Sequence, residues 1–257
     1  MNYYRSTLIG SVFLLLFFLW ACVETQRPVY VEGGLIPIEE SRIGEKDAAT
    51  DSIISIYRAA LEREMNEILA YSAHTMSRGT PEGLLNNFVA DLCFEIGQDL
   101  YKPDDGHPID FCLLNYGGLR ASLPEGPVTL ANVFELMPFE NEMIVITLDT
   151  EKTLALFDYL AESPVGMPVS NIKLKITDQE IKEVSIAGEA FDSLRNYKVL
   201  TSDYLAGGGD NMTFFLEPIE KQYLGLRIRD AIIKHLRDHH KQGKMIESRL
   251  DGRITMN

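Results

Sequence analysis

The chain has 257 residues, 46% of them hydrophobic, with 38 acidic against 24 basic side chains and a formal net charge of −14. That balance excludes a protein whose main work is gripping a nucleic-acid backbone, since phosphate neutralisation needs a surplus of Lys and Arg. Three cysteines and five histidines, without CxxC or Cys/His spacing, exclude a disulfide scaffold and give no zinc module.

Residues 1–21 read as a secretion signal. A short polar start carries one positive charge, Arg5, and residues 8–20 are almost continuously apolar but short for a bilayer span. The run ends Leu19, Trp20, Ala21, Cys22, which resembles the lipobox of bacterial lipoproteins, where the Cys is acylated and becomes the mature N-terminus. Trp20 departs from the small residue usual there, and an uncleaved signal anchor is the other reading. Both place the working domain outside the cytoplasm, in a bacterial cell envelope, held to the membrane by its N-terminus at the periplasmic or outer face. Residues 22–48, with Pro28, Gly33, Gly34, Pro37 and Gly44, read as a tether with one short strand at 29–32. Residues 49–257 remain as one domain, long enough to bury a core. Cys93 and Cys112 sit in apolar runs, where they either pair or stay as buried thiols.

From residue 51 the pattern is helical. Ile53, Ile54, Tyr57, Leu61 and Met65 recur at three- and four-residue spacing, with Thr50 or Asp51 as cap. A strand is expected at 67–74. Residues 81–100 carry Leu84, Phe88, Leu92, Ile96 and Leu100 as a four-residue ladder, the clearest helix in the chain. Residues 102–106 stop it, a buried strand follows at 109–114, and Thr129 caps a short helix that ends at Pro138. Next come a strand at 142–148, a helix at 150–161 and an alternating antiparallel pair at 172–177 and 183–186. A strand at 197–200 precedes a run of three glycines, and a last helix spans 226–240. Helices and hairpins without regular βαβ alternation give an α+β fold: a single domain of mixed sheet with packed helices.

Three clusters sit at chain turns and carry groups suited to binding. Residues 115–120 place Asn115, Gly117 and Gly118 before Arg120, so free backbone N–H groups and a fixed cationic fork can face an anion. Pro138 fixes the backbone ahead of Phe139 and Asn141. Tyr204 and Asp210 flank the glycines 207–209, where a ring can stack on a base and a carboxylate can accept from paired hydroxyls. Each has a plainer explanation as surface cation, core ring or strand cap.

Together and in this order the clusters resemble the C-terminal domain of the 5′-nucleotidase and UDP-sugar hydrolase family. Its N-x-G-G-[IL]-R turn is matched at 115–120, its P-F-x-N motif at 138–141 and its aromatic-x-A-x-G-G-D loop at 204–210. The resemblance covers roughly residues 52–254. It implies a pocket for a nucleoside or nucleoside 5′-phosphate, with Phe139 and Tyr204 around the base, Asn141 at its edge and Asp210 on the ribose hydroxyls. Arg120 and Asn115 would face the phosphate, with Gly117, Gly118 and Gly208 shaping the turns. Tyr204 stands where relatives often have Phe. Arg78 lies near an Arg that the family places before its long helix, about one residue out of register.

The same resemblance implies that hydrolysis belongs to a separate metallophosphatase domain, whose two metals activate water. Its Asp-x-His and Gly-Asn-His-Glu/Asp motifs are absent from this sequence. His235 and His239 lie one helical turn apart and could hold a metal, but Leu236 follows His235, so the pair is no H-E-x-x-H motif and reads as solvated. The expectation is therefore a recognition domain with no catalytic residue and no cofactor or metal of its own. It would act beside a metallophosphatase protein that carries divalent metals. The alternative is a nucleoside-binding lipoprotein for uptake, with no hydrolase role.

Overall fold

The computed structural model describes residues 47–256. Cys22, the signal segment and the tether strand at 29–32 lie outside them. Ser52–Asn257 belong to one compact unit.

Helix α1 (Ala48–Met65) starts earlier than the sequence pattern indicates, because the Asp47 carboxylate accepts from the N–H groups of Ala49 at 2.9 Å and Thr50 at 3.4 Å. Met65 packs on the core, but Ile53 and Tyr57 stand 64% and 73% exposed. The apolar stripe therefore does not face the core of this unit. Strand β1 (Ile68–Ser72) pairs antiparallel with β3 (Gly126–Thr129). Helix α2 (Leu84–Leu100) begins at the end of a turn, with Gly83 at its N-cap in extended conformation. Helix α3 (Leu130–Leu136) has the expected Thr129 cap as a full capping box with Asn132.

A five-stranded sheet forms the centre. It is built from β2 (Phe111–Leu113), β4 (Glu142–Leu148), β5 (Val169–Ser170), β9 (Tyr197–Ser202) and β10 (Glu220–Arg227), in the order β10-β4-β9-β2-β5. The β2–β9 pair is parallel and the other pairs are antiparallel. A second sheet, β11-β6-β7-β8, contains the expected hairpin of β6 (Ile172–Thr177) and β7 (Glu180–Ile186). Short β8 (Glu189–Ala190) lies on one side, and β11 (Ile254–Met256) runs parallel to β6 on the other.

Alternation along the central strands divides the core in two. Met143, Val145, Cys112 and Leu200 point to one face, against α2 and α6 (Ile228–Lys241) through Val89, Leu92, Ile96, Ile232 and Leu236. Ile144, Ile146, Phe111, Leu113 and Val199 point to the other, against α4 (Thr150–Glu162) and β6 through Leu156, Phe157, Leu160, Ile172 and Leu174. A sheet covered on both faces needs strands apolar at nearly every position, which is why β4 reads as a nearly continuous apolar run, while β9 also buries Lys198, Thr201 and Ser202. Cys93 and Cys112 are free, buried thiols. Burial pushes the Cys93 thiol up to about 12 and the Cys112 thiol well above its ordinary value, so neither ionises readily at neutral pH.

The last third of the chain departs from the sequence reading. Residues 220–227 form a strand, β10, that pairs with β4 at the sheet edge, so Leu226 belongs to a strand and the last helix starts at Ile228. Beyond it, Arg253 is buried and clamps the C-terminal segment. It donates to both Asp91 oxygens at 2.7 and 3.0 Å, to Asp251 at 2.9 Å and to the Val169 carbonyl at 2.8 Å. Arg253→Met should cost about 2–3 kcal/mol, below the 3–5 of a fully buried pair because Asp91 keeps solvent access. Urea unfolding followed by circular dichroism measures it as a lower midpoint at unchanged slope.

Candidate functional site

Strand pairing brings the three clusters together. Because β2 and β9 are parallel, the 115–120 turn and the 203–211 loop leave the sheet at the same end. Strand β4 runs antiparallel to β9, with Met143 opposite Ser202, so residues 138–141 enter the sheet at that end too. Asp203 fastens the two: its carboxylate accepts from the N–H groups of Glu142 at 3.1 Å and Tyr204 at 2.8 Å. Ser202 caps α5 (Asp203–Ala206), which carries Tyr204.

The result is a cavity of about 300 Å³ lined by Asn115, Gly117, Gly118, Arg120, Phe139, Asn141, Tyr204 and Asp210. These are eight of the ten residues expected from the sequence. Gly208 lies behind the lining, at φ 85° in the turn where its Cα faces Leu216. Arg78 lies outside the lining as well. Its guanidinium covers the Tyr116 ring at 4.5 Å and donates to the Tyr116 carbonyl at 3.3 Å, buttressing the glycine turn from outside.

Phe139 and Tyr204 are 42% and 45% exposed, large rings left open to solvent in a concave site. Tyr204 folds onto the glycine loop so closely that a Cβ on Gly209 would lie 2.5 Å from its Cζ, which explains the glycine there. At Gly118 a Cβ would lie 2.8 Å from Asn115 Oδ1, so this glycine lets the Asn115 amide lie across the turn. That amide donates to Asp210 Oδ2 at 2.8 Å, and the Tyr204 hydroxyl donates to Asp210 Oδ1 at 2.8 Å. The bond to Asp210 raises the Tyr204 hydroxyl above its ordinary range, keeping it a donor. A carboxylate offers about four acceptor positions, so Asp210 retains room for two more donors. The side chains of Asn141 and Arg120 make no hydrogen bond or ion pair among the described residues, which leaves an amide and a cation free at the rim.

Two supporting residues lie outside the motifs. Arg229, buried at the start of α6, donates to the Pro138 carbonyl at 3.2 Å, to that of Phe139 at 3.5 Å and to Glu140 Oε1 at 2.6 Å. It thereby fixes the Phe139 loop and holds the Glu140 carboxyl below the usual carboxylate range. Tyr159 on α4 donates to the Asp210 carbonyl at 3.0 Å. Neither leaves a signal in the local sequence, since the partners of both lie far away along the chain.

With this geometry established, comparison with known proteins is direct. The model of the family described as "5'-nucleotidase, C-terminal domain" matches residues 65–217. The chain belongs to that family. An apyrase of Tabanus yao is 25% identical over 194 residues, 66% of this chain and 35% of the apyrase. The trifunctional nucleotide phosphoesterase protein YfkN of Bacillus subtilis is 25% identical over 240 residues, 86% of this chain but 16% of that protein. The chain thus spans about a third or less of these relatives. The fold matches the crystal structure of a 5′-nucleotidase precursor from Thermus thermophilus with TM-score 0.67, over 82% of this chain and 43% of the other, at 21% identity.

The histidine pair is half-buried, not solvated as the sequence suggested. The His235 and His239 rings stand 4.2 Å apart, Phe88 meets His235 edge-on at 5.6 Å, and the pair borders a cleft of about 450 Å³ that Asp91, Glu95, Glu247 and Arg253 also line. Among the described residues no three His, Cys, Asp or Glu side chains gather as a metal site. Burial, then repulsion from His239, lowers His235 from 6.5 to about 4. The unfolded chain therefore takes up this proton first as pH falls. The contribution to stability is complete above about pH 6.5, declines below it and is gone below about pH 4. Discounted for partial solvent access, it amounts to about 1–2 kcal/mol. The loss of unfolding free energy between pH 7 and pH 4.5, measured by urea titration, should be smaller in His235→Gln by most of that amount.

Proposed function

We propose that this chain is the nucleotide-recognition component of a 5′-nucleotidase-type activity, serving nucleotide breakdown outside the cytoplasm. The observation that carries the reading is the convergence of eight motif residues, from three separate chain segments, on one cavity. Phe139 and Tyr204 hold the base between their rings, and the Asn141 amide meets its edge. The ribose hydroxyls go to Asp210, and the Arg120 fork takes the phosphate end. The phosphate then points out of the cavity, toward a separately encoded metallophosphatase chain whose metals activate the attacking water. The names of the relatives, an apyrase and a nucleotide phosphoesterase, support the substrate class. The Leu19–Cys22 sequence supports removal of residues 1–21 and a lipid anchor on Cys22.

Calorimetric titration of adenosine into the chain tests the pocket. Stacking is worth about 1–3 kcal/mol per ring, so Phe139→Ala and Tyr204→Ala should each weaken binding by roughly five- to 150-fold. Heat that is absent, or that persists unchanged in both variants, overturns the nucleoside pocket. For the division of labour, the chain alone with AMP and Mn²⁺ should release no phosphate. Steady phosphate release by this chain alone would overturn the need for a partner, and nucleoside binding with no associated phosphatase would favour the uptake role.

A further inference from the structure

We infer that Tyr159 is a positioning residue for ligand recognition, acting through Asp210 to set the direction of its carboxylate. The inference rests on the nucleoside reading above and concerns a residue outside the three motifs and outside the cavity lining.

Gly208, Asp210 and Asn211 have φ of 85°, 52° and 61°, three left-handed residues within four. For Asp and Asn this region is allowed but unfavourable, and the segment is exposed, so its conformation must be held by contacts from elsewhere. Three side chains supply them, all on Asp210. The Tyr204 hydroxyl accepts from the Asp210 N–H at 3.2 Å while donating to Oδ1. The Asn115 amide donates to Oδ2. Tyr159 donates to the main-chain carbonyl at 3.0 Å.

Of the three, Tyr159 has the firmest footing. Its ring packs edge-on against Phe214, 5.6 Å between centroids, within the second hydrophobic cluster. Tyr204 and Asn115 belong to the same exposed cavity as the residue they hold. Burial, and then the nearby Asp210 and Tyr204, raise the Tyr159 hydroxyl above its ordinary range, so it remains a donor at neutral pH. A bond to the carbonyl fixes the peptide plane after Asp210. With the N–H before it also held, the Cα–Cβ direction is set from both sides. The two unused acceptor positions of the carboxylate are then aimed before any ligand arrives, which is the arrangement that reduces the ordering cost of binding.

The test compares adenosine with 2′,3′-dideoxyadenosine, which lacks the hydroxyls that Asp210 would receive, by calorimetry on the full chain in detergent. Tyr159→Phe should weaken adenosine roughly five- to tenfold, within the range for one lost hydrogen bond. The dideoxy ligand should change less than twofold. In an Asp210→Asn background, Tyr159→Phe should add little, because the two act as one unit. A mere folding defect lowers both affinities by the same factor, so equal losses on the two ligands overturn the inference. Unchanged adenosine affinity in Tyr159→Phe overturns it too, while leaving the pocket intact. A wild-type chain that binds neither ligand is a different failure, that of the nucleoside reading itself.

Discussion

The site depends on the pairing of β9 with its two neighbours. One strand, Tyr197–Ser202, hydrogen-bonds in parallel to β2 and antiparallel to β4. Parallel pairing sends two exits to the same sheet end, and antiparallel pairing adds an entrance there. A one-residue slip of β4 against β9 would turn Ile144 and Ile146 out of one core and Met143 and Val145 out of the other. It would also move Phe139 and Asn141 away from Tyr204. The packing that fixes the register and the geometry that forms the cavity are one constraint.

Around this frame, the groups that line the cavity and the groups that hold them are distributed differently. The side chains that face the cavity are short-range products of local turns: an amide across a glycine, a ring folded on a glycine, a ring after a proline. The groups that hold them come from helices on the flanks. Arg229 reaches the Phe139 loop from α6, and Tyr159 reaches Asp210 from α4. Arg229 serves loop geometry and charge together, since its guanidinium also covers Phe134 at 4.4 Å.

Much of this was legible in the sequence, for physical reasons that differ by residue. Glycines 117, 118 and 207–209 mark turns because few other residues allow them, and strands β4 and β9 stand out because both their faces are buried. Strand β10 is not legible because its sequence blurs the alternation: polar Gln222 lies on the inner side, Tyr223 is exposed, and Gly225 interrupts the run. Helix α1 was found by periodicity, yet its stripe at Ile53 and Tyr57 is exposed, because periodicity shows that a face is apolar and not what it meets. Tyr159 and Arg229 left no usable trace. Their partners lie 51 and about 90 positions away, and only the topology brings them close.

The family match ends at residue 217, but the supports do not. Strand β10 flanks β4, Arg229 fixes the Phe139 loop, and Arg253 fastens the last strand to α2 through Asp91. A transplant of this cavity onto another protein, cut where sequence similarity stops, would carry every lining group and leave behind the scaffolding that aims one of its two rings. The transferable module is defined mechanically, by what braces the loops, and it runs on to the C-terminal strand.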